Sequence, residues 1–298
     1  MTAGDHWRSQ AREAAPTAGG TSARNLTLRT LSSIVLAPVV LLLTFAGGWL
    51  FLGLCAVAAA GILWEWMHLI DDRGGLRVLA VGMAAVLAAS VLVGANLPGA
   101  AVWAIAAGAV LAGALGARGL SAAAREGGFW AAGGMLYAGI GFLSPALLRR
   151  DPEWGFMALL FLFATVWATD IFAFLCGRTI GGPLLWPKVS PKKTWAGAVG
   201  GLAGGVAGAV VVAFVGGVGS VVAAGALGLL FSILAQVGDL FESAVKRRFG
   251  AKDAGRLIPG HGGLMDRLDG FLVAAFAALL IGIARQGMDA PARGFLLW

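Results

Sequence analysis

Apolar runs of about the length that crosses a bilayer recur along the whole chain, and nearly all charge is confined to the links between them. A helix needs about 20 apolar residues to span the hydrocarbon core. On that measure about nine transmembrane helices are predicted, near 31–47, 49–70, 76–95, 99–117, 129–148, 154–176, 195–217, 220–242 and 269–287. With 59% hydrophobic and only 12% charged residues, the chain has too little charge to clothe a water-soluble domain. The expected fold class is an all-α, polytopic integral membrane protein.

The charged residues set the organisation. Residues 1–29 carry Arg8, Arg12, Arg24 and Arg29 against Asp5 and Glu13 and read as a basic, disordered arm. No convincing cleavage site follows the first apolar run. Helices of 30–153 come next, and 154–298 hold most of the polar residues within or beside predicted spans. If the arm stays in the cytoplasm, the links 71–77, 118–126, 177–194 and 243–267 share its side, and these are the basic ones. The opposite face receives nearly uncharged links, except for Arg149, Arg150, Asp151 and Glu153, which read as a mixed cluster that cancels itself. The formal net charge of +7 therefore reflects topology and anionic headgroups or phosphates, not nucleic acid. Cys55 and Cys176 each fall in a span, with no spacing that suggests a disulfide or a metal.

The seventh span carries Gly197, Gly201, Gly204, Gly205 and Gly208 at small-xxx-small spacing, which lets helix backbones approach closely. Internal packing is the expected use, and a homodimer seam is the other.

Charge is densest in 236–270. Read as a helix end, Gln236, Asp239, Ser243 and Lys246 share one face, with Glu242 beside them. A carboxylate near the membrane boundary is costly unless a cation or donor meets it. Downstream, Pro259, Gly260, His261, Gly262 and Gly263 form a turn that allows close backbone approach, and Asp266 and Asp269 follow at the mouth of the last span. These two acids fit either a metal-facing surface or helix capping; Asp269 is read as the cap and Asp266 as the ligand. On the other link of this face, Lys192 and Lys193 sit on a Ser-Pro turn and Arg178 follows the sixth span, near whose end lies Asp170. Asp170, Asp239 and Asp266 near one face, with basic residues on two links, suit Mg²⁺ and phosphates. The reaction class suggested is phosphoryl or nucleotidyl transfer at a membrane surface.

The run SAVKRRFGAKDAGRLIPGHGGLMDRLD, residues 243–269, resembles the signature of the phosphatidate cytidylyltransferase (CDP-diacylglycerol synthase) family. Asp170 to Arg178 is similar to that family's Asp-x-x-Ala-Tyr-x-x-Gly-Arg element, and Ser190 to Gly197 to its Ser-Pro-Lys-Lys-Thr-x-x-Gly element. Upstream the likeness is one of general character, apart from the Glu65-Trp66 pair. Phe174 stands where the family usually has Tyr, and Ala196 where a polar or acidic residue is common.

The resemblance implies that CTP and phosphatidic acid give CDP-diacylglycerol and pyrophosphate, with Mg²⁺ required and room among the carboxylates for a second cation. It implies a metal site from Asp239, Asp266 and Asp170, and catalytic roles for Asp239, Asp266, Lys246, Arg267 and His261. Substrate contacts are expected from Arg178, Ser190, Lys192, Lys193, Thr194, Ser243, Arg247, Lys252, Gly262 and Gly263. The expected setting is a bacterial plasma membrane, with the site facing the cytoplasm. An ion or solute transporter is the non-enzymatic alternative, but its acids belong near mid-membrane. A CDP-alcohol phosphotransferase also clusters aspartates, yet its Asp-Gly-x-x-Ala-Arg opening is absent.

Overall fold

A computed structural model describes residues 35–70, 75–117, 121–255, 257 and 262–298. The N-terminal arm and His261 lie outside the described residues. The helices are α1 (Val35–Ala46), α2 (Gly48–Leu69), α3 (Gly75–Gly94), α4 (Pro98–Gly116), α5 (Ala122–Arg149), α6 (Gly155–Thr179), α7 (Trp195–Gly216), α8 (Val221–Arg248), α9 (Met265–Gln286) and α10 (Pro291–Leu296). Among the described residues, the eight helices α2 to α9 are long and apolar enough to cross a membrane. The first predicted span is represented by the shorter apolar α1.

Several helices run further through charge than the hydropathy pattern suggests, α5 starting at Ala122, ahead of Arg125 and Glu126, instead of 129. α8 continues past 242 to Arg248, and α9 starts at Met265 instead of 269. Backbone hydrogen bonding does not end where apolarity does. A second departure is a small antiparallel hairpin, β1 (Leu184–Trp186) with β2 (Ser190–Thr194), in the link where a Ser-Pro turn is expected. Thr194 ends β2 and accepts a hydrogen bond from Gly197 N (3.1 Å), so the strand feeds straight into a capped α7.

Consecutive helices pack as neighbours, α3 on α4, α4 on α5, α6 on α7, and α7 on α8. α9 touches α8, α5, α6 and α2, and so joins the early helices to the late ones. Because the chain reverses at each link, the links after α2, α4, α6 and α8 gather at one end of the bundle. An ion pair from Arg248 to Glu126 (2.9 Å) ties two of them together. At the other end Arg293 holds both Asp151 and Glu153 at 3.0 Å. The expected cancellation there does not occur, since α10 brings a third arginine that takes both acids.

The glycines of α7 serve internal packing. A methyl group at Gly208 would stand 2.7 Å from the Ala164 carbonyl oxygen, and one at Gly205 would stand 2.5 Å from Thr169 Oγ1. At this seam Thr169 Oγ1 donates to Ser232 Oγ (2.8 Å), and Ser232 to the Gly201 carbonyl (3.2 Å), so α6, α7 and α8 are hydrogen-bonded where side chains are smallest. Gly208→Ala would push backbone against backbone, and a loss of about 1–3 kcal/mol is expected. Thermal unfolding in detergent measures it; an unchanged midpoint would show that the α6–α7 seam yields freely.

Candidate active site

The site is built on the last three turns of α8. Asp239, Glu242, Ser243 and Lys246 follow at helical spacing, and Ser243 Oγ donates to Asp239 Oδ1 (3.4 Å). Asp239 Oδ2 lies 2.5 Å from Lys193 Nζ, which arrives from β2. Strand alternation decides which lysine reaches it. Lys193 is half-buried toward α8, whereas the adjacent Lys192 is exposed. Arg247 steadies this hairpin, donating to the Val189 carbonyl (3.4 Å) and to the Ala251 carbonyl (3.1 Å).

Deeper on the same helix, Lys246 Nζ bonds Glu242 Oε1 (3.0 Å) and also the Asp266 carboxylate. Glu242 and Lys246 are buried and Asp266 is largely so, with side-chain exposures of 1%, 11% and 10%. Asp266 is further held by Gly263 N (2.9 Å) and Ala254 N (3.1 Å), which donate to its Oδ2.

The remaining acids complete the group. Asp170 on α6 and Asp269 on α9 each interact electrostatically with Asp239 and with each other, and Lys193 and Arg267 supply the opposing charge. Carboxylates from three helices thus lie within electrostatic reach of one another at the end of the bundle where the basic links gather. Asp269 lies more than a turn inside α9, so it is not the cap expected of it. The capping is done by others. Asp266 takes the Gly263 amide, and Glu65 on α2 accepts from Leu264 N (2.9 Å) and Met265 N (2.8 Å).

Glu65 is the residue whose role the sequence did not disclose beyond a family likeness. It is 1% exposed, and its carboxylate meets the positive end of α9. A methyl group at Gly255 would lie 2.5 Å from Glu65 Oε1 and one at Gly263 2.8 Å from Glu65 Oε2, so both glycines are pressed directly onto this acid. The neighbouring Trp66 anchors α2 by donating from Nε1 to the Trp130 carbonyl (2.9 Å). A charged residue inside the apolar run ILWEWMHLI was the available signal. Glu65→Ala should cost about 1–3 kcal/mol from the orphaned amides, and turnover should fall as Asp266 loses its setting. Glu65→Gln, which keeps an acceptor, should cost less. Equal stability of all three proteins would remove the strut role.

The other expected residues are distributed around this core. Ser190 opens β2, and Thr194 is buried as the cap of α7. Gly262 has φ +86°, a left-handed conformation that favours glycine, and Gly263 abuts Glu65 and Asp266. Lys252 and Arg267 are exposed. Arg178 is exposed as well, its guanidinium 5.9 Å from the centre of the Phe174 ring.

Among the described residues, no three His, Cys, Asp or Glu side chains gather closely enough to hold a metal by themselves. The donors grouped here are nevertheless all carboxylates, and Asp239 retains 37% side-chain exposure. Such a set fits a hard cation that takes one or two carboxylates and completes its shell with water and substrate phosphate. It does not fit a fully caged ion.

Residues 27–283 match the cytidylyltransferase family. A phosphatidate cytidylyltransferase of Brucella suis biovar 1 (strain 1330) is 41% identical over 275 residues, covering 91% of this chain and 98% of the relative. One of Brucella abortus biovar 1 (strain 9-941) is 42% identical over 262 residues, 87% of this chain and 93% of the relative. A shorter match, 39% identical over 137 residues, joins 46% of this chain to 52% of a phosphatidate cytidylyltransferase from Staphylococcus haemolyticus (strain JCSC1435).

Proposed function

The chain belongs to the cytidylyltransferase family, and from that premise we propose that it transfers a cytidylyl group from CTP to phosphatidic acid, releasing pyrophosphate and forming CDP-diacylglycerol. The observation that carries this reading is the Asp239–Lys193 pair, which joins α8 to a basic hairpin within electrostatic reach of Asp170 and Asp269 on two other helices.

A phosphate monoester has its second pKa at about 6, so the lipid phosphate is largely dianionic at neutral pH and needs no strong base. One of its oxygens forms a bond to the α-phosphorus of CTP as the bond from that phosphorus to the α–β bridging oxygen breaks. The electron pair leaves with pyrophosphate. The main obstacle is concentrated negative charge, which positioned cations relieve. Asp239 and Asp170 would hold Mg²⁺, with Asp266, held by Lys246, as the further carboxylate. Bound Mg²⁺ supplies Lewis-acid neutralisation of phosphate oxygens. The Lys193–Asp239 pair is partly exposed, with side-chain exposures of 28% and 37%, and a pair so placed is worth about 0–1 kcal/mol. Lys193 can therefore release Asp239 to bind a phosphate, while Lys192, Arg247 and Arg267 add charge at the rim. Lys246, enclosed by Glu242 and Asp266, sets the position of Asp266 more than it reaches substrate.

The bundle end that bears the acids would face the cytoplasm, where CTP is available, in a bacterial plasma membrane. The diacyl tails remain in lipid, and only the headgroup enters. Purified protein in detergent should release pyrophosphate from CTP only when phosphatidic acid and Mg²⁺ are both present. Release without phosphatidic acid, or with every nucleoside triphosphate alike, would count against this assignment.

A further inference from the structure

At the bundle end opposite the acids, a cavity of about 400 Å³ lies among the start of α2, the end of α3 with the link after it, and the end of α5. Its polar lining is Arg149, Arg150 and Asn96, and its apolar wall includes Trp49, Leu52 and Val93. Arg149 donates from Nε to the Thr44 carbonyl (2.6 Å) and from Nη2 to the Phe45 carbonyl (2.9 Å). Arg150 Nη2 donates to Asn96 Oδ1 (3.2 Å), and its Nη1 is buried with no partner among the described residues. Asn96 itself adopts a left-handed φ of 60°, so the turn that presents its oxygen is a specific one. Among the described residues neither arginine has a carboxylate within ion-pair distance, because Asp151 and Glu153 are both taken by Arg293. Two guanidinium charges over carbonyls and an amide, one with an unsatisfied buried donor, call for an anion. The apolar wall includes Trp49, which is 62% exposed at the start of the membrane-length helix α2, and calls for one with a hydrocarbon tail.

We propose that this arginine pair binds the phosphate-bearing headgroup of an anionic phospholipid from the leaflet opposite the candidate active site. The test uses the full chain in nanodiscs of phosphatidylcholine, with and without phosphatidylglycerol, followed by native mass spectrometry of the retained lipid. Wild type should retain phosphatidylglycerol over phosphatidylcholine, and Arg150→Gln should lose at least about fivefold of that preference, as expected for a charge-assisted contact. Melting in phosphatidylcholine alone checks folding. Should the glutamine variant fail to fold, Arg150→Lys keeps the charge without the fork and should still weaken retention. Equal retention by the folded variants and wild type would overturn the proposal. So would inorganic phosphate protecting wild type against heat as well as phosphatidylglycerol does, since the site would then be one for a free anion.

Discussion

Asp239→Asn is expected to lower kcat/KM for cytidylyl transfer by about a thousandfold, the loss typical of removing a charge-stabilising group aimed at a transition state. The substitution keeps the shape of the side chain and removes its charge. It deletes the acid that pairs with Lys193 and lies within electrostatic reach of Asp170 and Asp269. Folding should barely register the change. The ion pair is partly exposed, and losing it costs about 0–1 kcal/mol. Steady-state pyrophosphate release and thermal unfolding, measured on one preparation, separate the two effects. A folded Asp239→Asn protein with wild-type turnover would take Asp239 out of the chemistry.

Lys246→Met should act in the reverse sense, with stability failing first. Its ammonium is shared by Glu242 and Asp266, and all three are enclosed. Removing the cation leaves two buried carboxylates facing each other, and breaking a buried pair in this way costs about 3–5 kcal/mol. That is a large part of the stability of an ordinary domain, about 5–15 kcal/mol. The double variant Glu242→Gln/Lys246→Met relieves one of the stranded charges and should recover part of the loss, so the two substitutions should be non-additive. Additive losses, or a single-variant cost under about 1 kcal/mol, would mean that these charges are better hydrated than their burial indicates. The contrast between the two lysines is physical. Lys193 pairs at a rim and is replaceable there, whereas Lys246 is part of the framework that seats Asp266.

Much of this was legible in the sequence because lipid leaves few options. Helices of the required length, their alternating direction and the gathering of charged links at one end follow from apolar run lengths and chain reversal. The face shared by Asp239, Ser243 and Lys246 followed from helical spacing, and the use of the α7 glycines from their periodicity. What could not be read were contacts between residues far apart in the chain. Nothing local to Glu65 says that it caps a helix beginning 200 residues later. Nothing in the spacing of Asp266 and Asp269 tells which one satisfies backbone amides, because that depends on where α9 starts, and hydropathy places the start a turn too late. Arg149, Arg150, Asp151 and Glu153 balance on paper, and only the fold brings Arg293 to claim both acids. The family likeness was concentrated in 165–270, whereas the match extends over 27–283, so the early helices belong to the same inherited unit despite their plain composition.

The central claim is that carboxylates from α6, α8 and α9 hold a divalent cation with the nucleotide. Mn²⁺ titration of the purified protein, followed by electron paramagnetic resonance with and without CTP, addresses it directly. Wild type should bind Mn²⁺ more tightly when CTP is present, and Asp239→Asn, folded to the same extent, should lose that enhancement. Identical Mn²⁺ binding by the two proteins in the presence of CTP would contradict the account.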